Sequence, residues 1–162
     1  MIEFDQNGTR FYYRVAGVAI KEGQVLLCRH PSGSYWVLPG GRVIPREDSK
    51  TALRREIREE LCLEATIGPL LWVVENFFEL NHRIYHELGL YYRMEVPLEL
   101  SSETFVVLSA SIGLEFGWFR LDQLPNLNLQ PPFLRQALRN PPTSVEHVMQ
   151  GEFARKPGSR LA

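Results

Sequence analysis

Three glutamates, Glu56, Glu59 and Glu60, are the side chains in this sequence whose type and spacing best suit chemistry. On a helix, which turns by about 100° per residue, their carboxylates fall within a sector of about 100°. Like charges at this spacing repel each other, and the dipole disfavours anions near a helix C-terminus. A hard divalent cation reverses both effects, because Mg²⁺ prefers clustered carboxylate oxygens. The alternative is a solvated helix face on which neighbouring arginines act as partners.

The helix that carries these glutamates is predicted to begin at Asp48 or Ser49, which can cap it, and to run to about Leu61. Its apolar residues recur at helical spacing: Ala52, Leu53, Ile57 and Leu61. The glutamate sector adjoins this apolar face, so the carboxylates are expected at the margin of the buried side. Glycines upstream of the helix allow the backbone to approach a ligand closely.

The segment from Gly41 to Leu63 resembles the Nudix box, G-x5-E-x7-R-E-U-x-E-E-x-G-U, where U is a bulky aliphatic residue. Gly41 and Glu47 take the first two fixed positions, and REIREELCL follows from Arg55. Cys62 stands where the pattern has glycine. The stretches WVLPGG before the box and EFGWFRLDQL at 115–124 also resemble the family. The resemblance covers residues 12–140.

The resemblance implies an α/β/α sandwich around a mixed sheet, and a hydrolase that cleaves a nucleoside diphosphate linked to another moiety. Water attacks phosphorus in this family, and divalent cations, Mg²⁺ or Mn²⁺, bind the diphosphate. By position, Arg55 would orient the glutamates and Glu47 would brace the loop against the helix. The implied metal ligands are Glu56, Glu59, Glu60 and the Gly40 carbonyl. The implied catalytic residues are Glu59, Glu60, Arg55 and Glu47.

Residues outside the box must supply specificity, and the general base is either a box glutamate or one from a later loop. The candidates outside the box are Glu75, Glu87, Glu103 and Glu115, of which Glu115 is preferred because it lies near the family's late strand. A surface charge on that strand is nevertheless the favoured role of Glu115, and Arg29 and Arg46 either reach substrate phosphate or face solvent. Aromatic residues that could stack a base, although core packing is the favoured role of most, are Tyr35, Trp36, Phe77, Phe78, Tyr85, Tyr91 and Tyr92.

Length and composition describe one ordinary globular domain. The chain has 162 residues, of which 44% are hydrophobic and 23% charged. A net charge of -1 provides no basic field for large nucleic acids. Two cysteines make no disulfide framework, and no apolar run reaches the length of a membrane span. A cytosolic protein is therefore expected. The resemblance implies a small nucleotide or diphosphate substrate, and a homodimer is left open.

The coarse pattern of elements is α+β with a mixed, largely antiparallel sheet. A hairpin is predicted from Val15–Ile20 and Gln24–Cys28, and a buried strand from Tyr35 to Leu38. Further strands are predicted at 65–75, 84–95, 103–108, 115–120 and 145–149, with a short helix at 132–139. Residues 1–154 are interpreted as a single domain, and residues 155–162 as a disordered tail.

Two other functions remain open at this point. A Nudix fold can sense a nucleotide without cleaving it, but such proteins often lose box residues, and this chain keeps its glutamates. An isomerase of isoprenoid diphosphates shares the fold, yet the additional Cys and metal-binding His residues of that activity cannot be placed here. Release of monophosphate with and without Mg²⁺ separates cleavage from sensing.

Overall fold

The structure is a computed structural model, and it describes residues 1–99, 101–109 and 112–151. The strands are β1 (Glu3–Gln6), β2 (Thr9–Val18), β3 (Ile20–Lys21), β4 (Gln24–Arg29), β5 (Gly40–Arg42), β6 (Thr66–Leu80), β7 (Arg83–Glu95), β8 (Phe105–Ser109), β9 (Ile112–Arg120) and β10 (Glu146–Gln150). The helices are α1 (Ser49–Leu61), a short 3₁₀ helix (Leu124–Asn126) and α2 (Leu134–Ala137). No helix among these residues is long and apolar enough to cross a membrane. The predicted tail at 155–162 lies outside the described residues, and the single-domain boundary stays a prediction.

The strands form two sheets. The larger has the order β1-β2-β7-β6-β10, with β5 paired to β2, and the smaller has the order β3-β4-β9-β8. Most neighbours are antiparallel, but β2 pairs with β7 and β10 pairs with β6 in the parallel sense. The predicted α+β class with a mixed sheet is confirmed.

Helices cover both sides of these strands. The buried face of α1 packs in one hydrophobic cluster with residues of both sheets, including Val15 and Leu26. A second cluster joins Leu124 of the 3₁₀ helix and Leu134 of α2 to the opposite side, around Trp72. This layering is the α/β/α sandwich that the resemblance implied.

The hairpin of β6 and β7 is the longest paired element of the chain. Its strands extend from Thr66 to Leu80 and from Arg83 to Glu95, so the first ends five residues later than predicted. The two connecting residues, Asn81 and His82, both have positive φ, 51° and 61°. This is the conformation of a type I′ turn, whose twist matches that of the strands and keeps them paired up to the turn.

Three predictions from local pattern are wrong in part. The Glu22-Gly23 turn exists, but only Ile20 and Lys21 pair across it with β4, while the preceding strand pairs with β7 and β5 of the other sheet. Residues 15–18 are buried on both faces, which is the environment of an interior strand. Residues 35–38 form only isolated bridges, Cys28 with Val37 and Trp36 with Leu129, because Cys28 lies next to the end of β4 and Leu129 lies outside any strand, so neither offers a continuous ladder. The helix predicted at 132–139 is shortened to α2.

The ends of α1 are both well capped. The Asp48 carboxylate accepts hydrogen bonds from the amides of Lys50 and Thr51 at 3.0 and 3.1 Å, which satisfies donors that the first turn leaves free. At the other end, Cys62 takes the left-handed conformation, with φ 56° and ψ 30°, and its amide donates to the Arg58 carbonyl at 3.0 Å. Cys62 therefore keeps the backbone conformation that glycine would adopt at this position of the box, but its side chain makes that conformation sterically unfavourable.

Cys62→Gly should relieve that cost. We expect the free energy of unfolding to rise by about 0.5 to 1 kcal/mol, the left-handed strain less the extra chain entropy of glycine. Urea denaturation measures the change. Cys62→Ala is the matched control, because it removes the thiol and keeps the strain. Equal stability of the glycine and alanine variants would contradict the explanation.

Candidate active site

The Arg55 guanidinium connects the loop before α1 with the glutamates of the helix. Its Nε and Nη2 donate to the two carboxylate oxygens of Glu47, both at 2.9 Å. Its Nη1 donates to Glu56 at 2.6 Å and to Glu59 at 3.3 Å, and Nη2 also reaches the Arg42 carbonyl at 3.0 Å. A planar guanidinium suits this arrangement because its donors have a fixed fork geometry. The two bracing and orienting roles implied for Glu47 and Arg55 fit these contacts.

Glu47 and Arg55 hold each other in their charged forms. Hydrogen bonds from Arg55 lower the pKa of Glu47, and the Ile44 amide adds to that effect, while burial opposes it. The pKa of Arg55 is raised, chiefly by Glu47 and then by Glu56. The pair is therefore ionised at every pH at which the protein would work, and it can hold the loop and the helix in one register.

Glycines bring the loop backbone against the helix carboxylates. A Cβ atom at Gly41 would lie 2.2 to 2.7 Å from the carboxylate atoms of Glu56, which is closer than real contacts allow. Gly40 has φ 139°, and a Cβ there would lie 2.2 Å from the Val15 carbonyl oxygen. Both glycines are thus required by close approach, one to the strand beside it and one to the acidic side chain.

Glu60 has the most perturbed acid group of the three glutamates. Burial raises its pKa to about 7, and the neighbouring Glu56 and Glu59 anions act in the same direction, while Arg14 and the Gly40 amide oppose them. The Gly40 amide donates to the Glu60 carboxylate at 3.3 Å. The described contact of Gly40 is therefore through its amide, and a ligand role for its carbonyl stays a prediction.

A cavity of about 500 Å³ lies near Glu60, and Arg14 connects the two because it lines the cavity and acts on the Glu60 carboxylate. The Arg14 guanidinium lines the cavity, donates to the Leu38 carbonyl at 2.9 Å and acts on the pKa of Glu60. Burial would lower the pKa of Arg14, but the Glu87 anion and other neighbours raise it above its ordinary value. Arg14 is therefore a permanent cation between the carboxylates of α1 and the cavity.

Glu87 is the buried acidic residue of the cavity wall. Its side chain is nearly inaccessible, with 5% of its surface exposed, and it accepts hydrogen bonds from the Tyr12 hydroxyl at 2.7 Å and the Tyr91 hydroxyl at 3.3 Å. Sequence reasoning placed Glu87 only among the candidate bases and did not single out Arg14. The available signal was a carboxylate that alternates with Tyr85, Gly89 and Tyr91 on one face of a predicted strand, where it needs a partner or a ligand.

The other predicted site residues, Arg29, Glu115 and Arg46, make their contacts away from the glutamates of α1. Arg29 donates to Glu115 at 2.7 Å across β4 and β9, and this hydrogen bond lowers the pKa of Glu115. The Arg29 guanidinium also lies 4.5 Å from the centre of the Trp36 ring. Among the described residues, no hydrogen bond joins Glu115 to α1. Arg46 is exposed in the loop, with φ 68°.

Of the other acidic candidates, Glu75 forms a hydrogen bond with His147 at 2.9 Å, and Glu103 is exposed. The aromatic candidates divide between core and cavity. Trp36 and Tyr92 are buried, and Tyr85 stacks on Phe78 with ring centroids 5.0 Å apart. The aromatic candidates that line the cavity are Tyr35, Phe77, Phe78 and Tyr91.

Known proteins resemble this chain in sequence over part of their length. The CTP pyrophosphohydrolase of Escherichia coli (strain K12) is 40% identical over 76 residues, which cover 44% of this chain and 55% of that protein. The diphosphoinositol polyphosphate phosphohydrolase 3-beta of Homo sapiens is 32% identical over 105 residues, covering 63% of this chain and 58% of that protein. The chain therefore spans little more than half the length of these curated relatives.

Solved structures agree on the fold. The MutT protein from Methanosarcina mazei Go1 superposes with a TM-score of 0.58 at 23% identity, over 79% of this chain and 90% of that one. A UDP-X diphosphatase superposes with a TM-score of 0.60 at 18% identity, over 85% and 66%. The model of the NUDIX domain matches residues 12–140, the region that the box and its flanking motifs indicated. This chain belongs to the NUDIX family.

Proposed function

We propose that this protein is a metal-dependent pyrophosphohydrolase that cleaves the diphosphate bond of a nucleoside diphosphate linked to another moiety. The observation that carries the proposal is the junction at Arg14. On one side of this cation stands Glu60, which shares α1 with the carboxylates that Arg55 orients, and on the other lies a cavity of about 500 Å³. This volume is typical of a small-molecule site.

The carboxylates of α1 fit a hard divalent cation by their chemistry. Burial and mutual repulsion raise the pKa of Glu60 to about 7, and a cation would relieve that repulsion. Within the described residues, no three acidic, His or Cys side chains are already arranged around a common point. Because the Glu59 side chain is 59% exposed, it is free to turn from Arg55 toward a cation.

Each residue then has a definite task. Glu56, Glu59 and Glu60 would hold Mg²⁺ or Mn²⁺, with the Gly40 carbonyl as the further ligand. When bound, such a cation neutralises the diphosphate and lowers the pKa of a coordinated water. Arg55 keeps Glu56 oriented, and Glu47 keeps Arg55 in place at 2.9 Å.

Three arginines are candidates for extending the positive field toward the substrate. Arg14 faces the cavity, where it can attract the phosphate groups of the substrate. Arg29 and Arg46 remain candidates for further contacts with substrate phosphate. Glu115 is the weaker choice for the proton acceptor, since the Arg29 hydrogen bond lowers its pKa. A box glutamate is the better choice.

A nucleotide is the proposed substrate class because the cavity offers aromatic surface together with few polar groups. Phe77, Phe78 and Tyr35 line it, and a base could stack on such rings. The name of one relative, CTP pyrophosphohydrolase, points to the same class, whereas that of another, diphosphoinositol polyphosphate phosphohydrolase 3-beta, names a diphosphoinositol polyphosphate. The competing function, a sensor that binds a nucleotide without cleaving it, predicts binding with no release of phosphate.

Substitution of the ligands should abolish turnover. Glu59→Gln and Glu60→Gln each remove a charge from the cation site, so we expect kcat/KM to fall by about a hundredfold or more with no loss of fold. The measurement is Mg²⁺-dependent phosphate release from nucleoside di- and triphosphates, nucleotide sugars and dinucleotides, with circular dichroism to establish folding.

Glu64→Gln is the matched control. Glu64 is exposed just beyond the helix, where it pairs with Arg58, and its substitution should leave turnover unchanged. Full activity in both ligand variants would contradict the metal-site assignment. Tight nucleotide binding without phosphate release by the unsubstituted protein would favour the sensor.

The metal-free protein should lose stability as the pH rises toward neutrality. The folded-state pKa of Glu60, about 7, lies above the ordinary value of 4.5, so the folded state binds more protons than the unfolded state between these values. Protonated Glu60 therefore contributes to the free energy of unfolding, on the order of 2 kcal/mol. This contribution is fully present below pH 4.5 and is lost by about pH 7. Urea denaturation in EDTA at pH 5 and pH 8 measures it. Glu60→Gln should flatten this part of the profile while Glu64→Gln keeps it, and equal slopes in both variants would refute the origin at Glu60.

A further inference from the structure

The Glu87 carboxylate faces the cavity but is not used by the hydrolytic chemistry described above. It is 5% exposed, which is rare for an acidic residue unless its charge is paired. Arg14 supplies the compensating charge, since Glu87 is the largest of the contributions that raise the pKa of that arginine. The carboxylate is thus maintained at the wall of a ligand-sized space, next to a cation that also faces it.

The hydrogen bonds of Glu87 determine what it can offer a ligand. The Tyr12 hydroxyl donates to Oε2 at 2.7 Å, and the Tyr91 hydroxyl donates to Oε1 at 3.3 Å. A carboxylate has about four acceptor positions, so two protein donors leave capacity on both oxygens. The pKa of each tyrosine is raised, first by burial and also by Glu87, so both keep their protons and remain donors. A ligand at this point must therefore donate.

The rest of the cavity gives the direction in which a nucleotide would lie. Among its described lining residues, Arg14 is the one cation, and it is also the residue that acts on Glu60 of α1. Phosphates would therefore extend past Arg14 toward the helix, while the base would lie against Phe77 and Phe78. The neighbouring Asn76, 8% exposed, adds an amide that can both donate and accept.

We propose that Glu87 is the specificity-determining residue of the substrate cavity, and that its carboxylate accepts a hydrogen bond from the exocyclic amino group of a nucleobase. This inference rests on the proposed function, of which it deepens the substrate class. An amino group donates to the carboxylate, whereas the keto oxygen that replaces it in uracil or hypoxanthine would face an anion with a lone pair. A keto oxygen placed against this carboxylate would gain no hydrogen bond and would be repelled by its charge, so the discrimination should be large.

Binding of nucleoside monophosphates in EDTA tests the inference without any hydrolysis. Three pairs differ in one exocyclic group: CMP with UMP, AMP with IMP, and GMP with IMP. We expect the amino member of at least one pair to bind about tenfold or more tightly by isothermal titration calorimetry. Equal affinities in every pair, or no binding of any of the five nucleotides, would overturn the inference.

Glu87→Gln supplies the residue-level test, because the amide has the shape of the carboxylate but presents a donor on one side. The amino preference should fall to less than about threefold in this variant, since its NH2 can serve a keto base equally well. Glu79→Gln is the matched control, the same change in the exposed carboxylate that lines the same cavity, and it should keep the preference.

A second variant guards against loss of folding. Tyr12→Phe removes a donor to Glu87 and leaves its carboxylate, so the preference for amino bases should persist. If Glu87→Gln unfolds, persistence of the preference in Tyr12→Phe supports the inference, and its loss in that variant contradicts it.

The two proposals fail separately. If the protein binds amino bases selectively but never releases phosphate, the hydrolase is wrong and the cavity assignment stands. If it releases phosphate with Mg²⁺ but binds the members of each pair equally, the hydrolase stands and Glu87 belongs only to the structural network.

Discussion

The ion pair of Arg55 with Glu47 is the interaction on which the candidate site depends. One planar group holds two loop-side acceptors, the Glu47 carboxylate and the Arg42 carbonyl, and two helix carboxylates of α1. Without this cation the helix would carry adjacent anions near its C-terminal end, where both mutual repulsion and the helix dipole are unfavourable. The arginine makes the acidic arrangement tolerable in the absence of metal, and it does so without consuming every carboxylate oxygen.

The hydrogen bonds of Arg55 can form only because the backbone of Gly40 and Gly41 lies very close to strand β2 and to the Glu56 carboxylate. Gly41 leaves the space that the Glu56 carboxylate occupies, and Gly40 passes against Val15 of β2 in a conformation that other residues rarely adopt. Strand β5 then pairs with β2, so that the loop is anchored in the larger sheet. The position of Glu56 therefore follows from a short strand, two glycines and an arginine together, which explains why the motif spreads its fixed positions over loop and helix.

The sequence was sufficient for features that depend on short separations along the chain. Helix α1, its Asp48 cap and the carboxylate sector follow from a period of 3.6 residues, and the resemblance supplied the roles of Arg55 and Glu47. Pairing between distant strands was less predictable. The turn at Glu22 and Gly23 was identified, yet β2 pairs mainly with β7, a strand far along the chain to which no local pattern in β2 points.

The same limit explains why the cavity was missed. Arg14 and Glu87 are 73 positions apart in the numbering and meet only because β2 and β7 are parallel neighbours, with Arg14 opposite Gly89. Local patterns show each as one of several charges in its strand, with nothing to indicate that the two face a common space. Burying such a pair costs desolvation that its attraction often fails to recover, so stability alone is a weak reason to keep it. The position of Arg14, between Glu60 of α1 and a ligand-sized cavity, gives a stronger reason to keep it. Its positive charge would allow Glu60 and Glu87 to coexist with the negatively charged substrate that we propose.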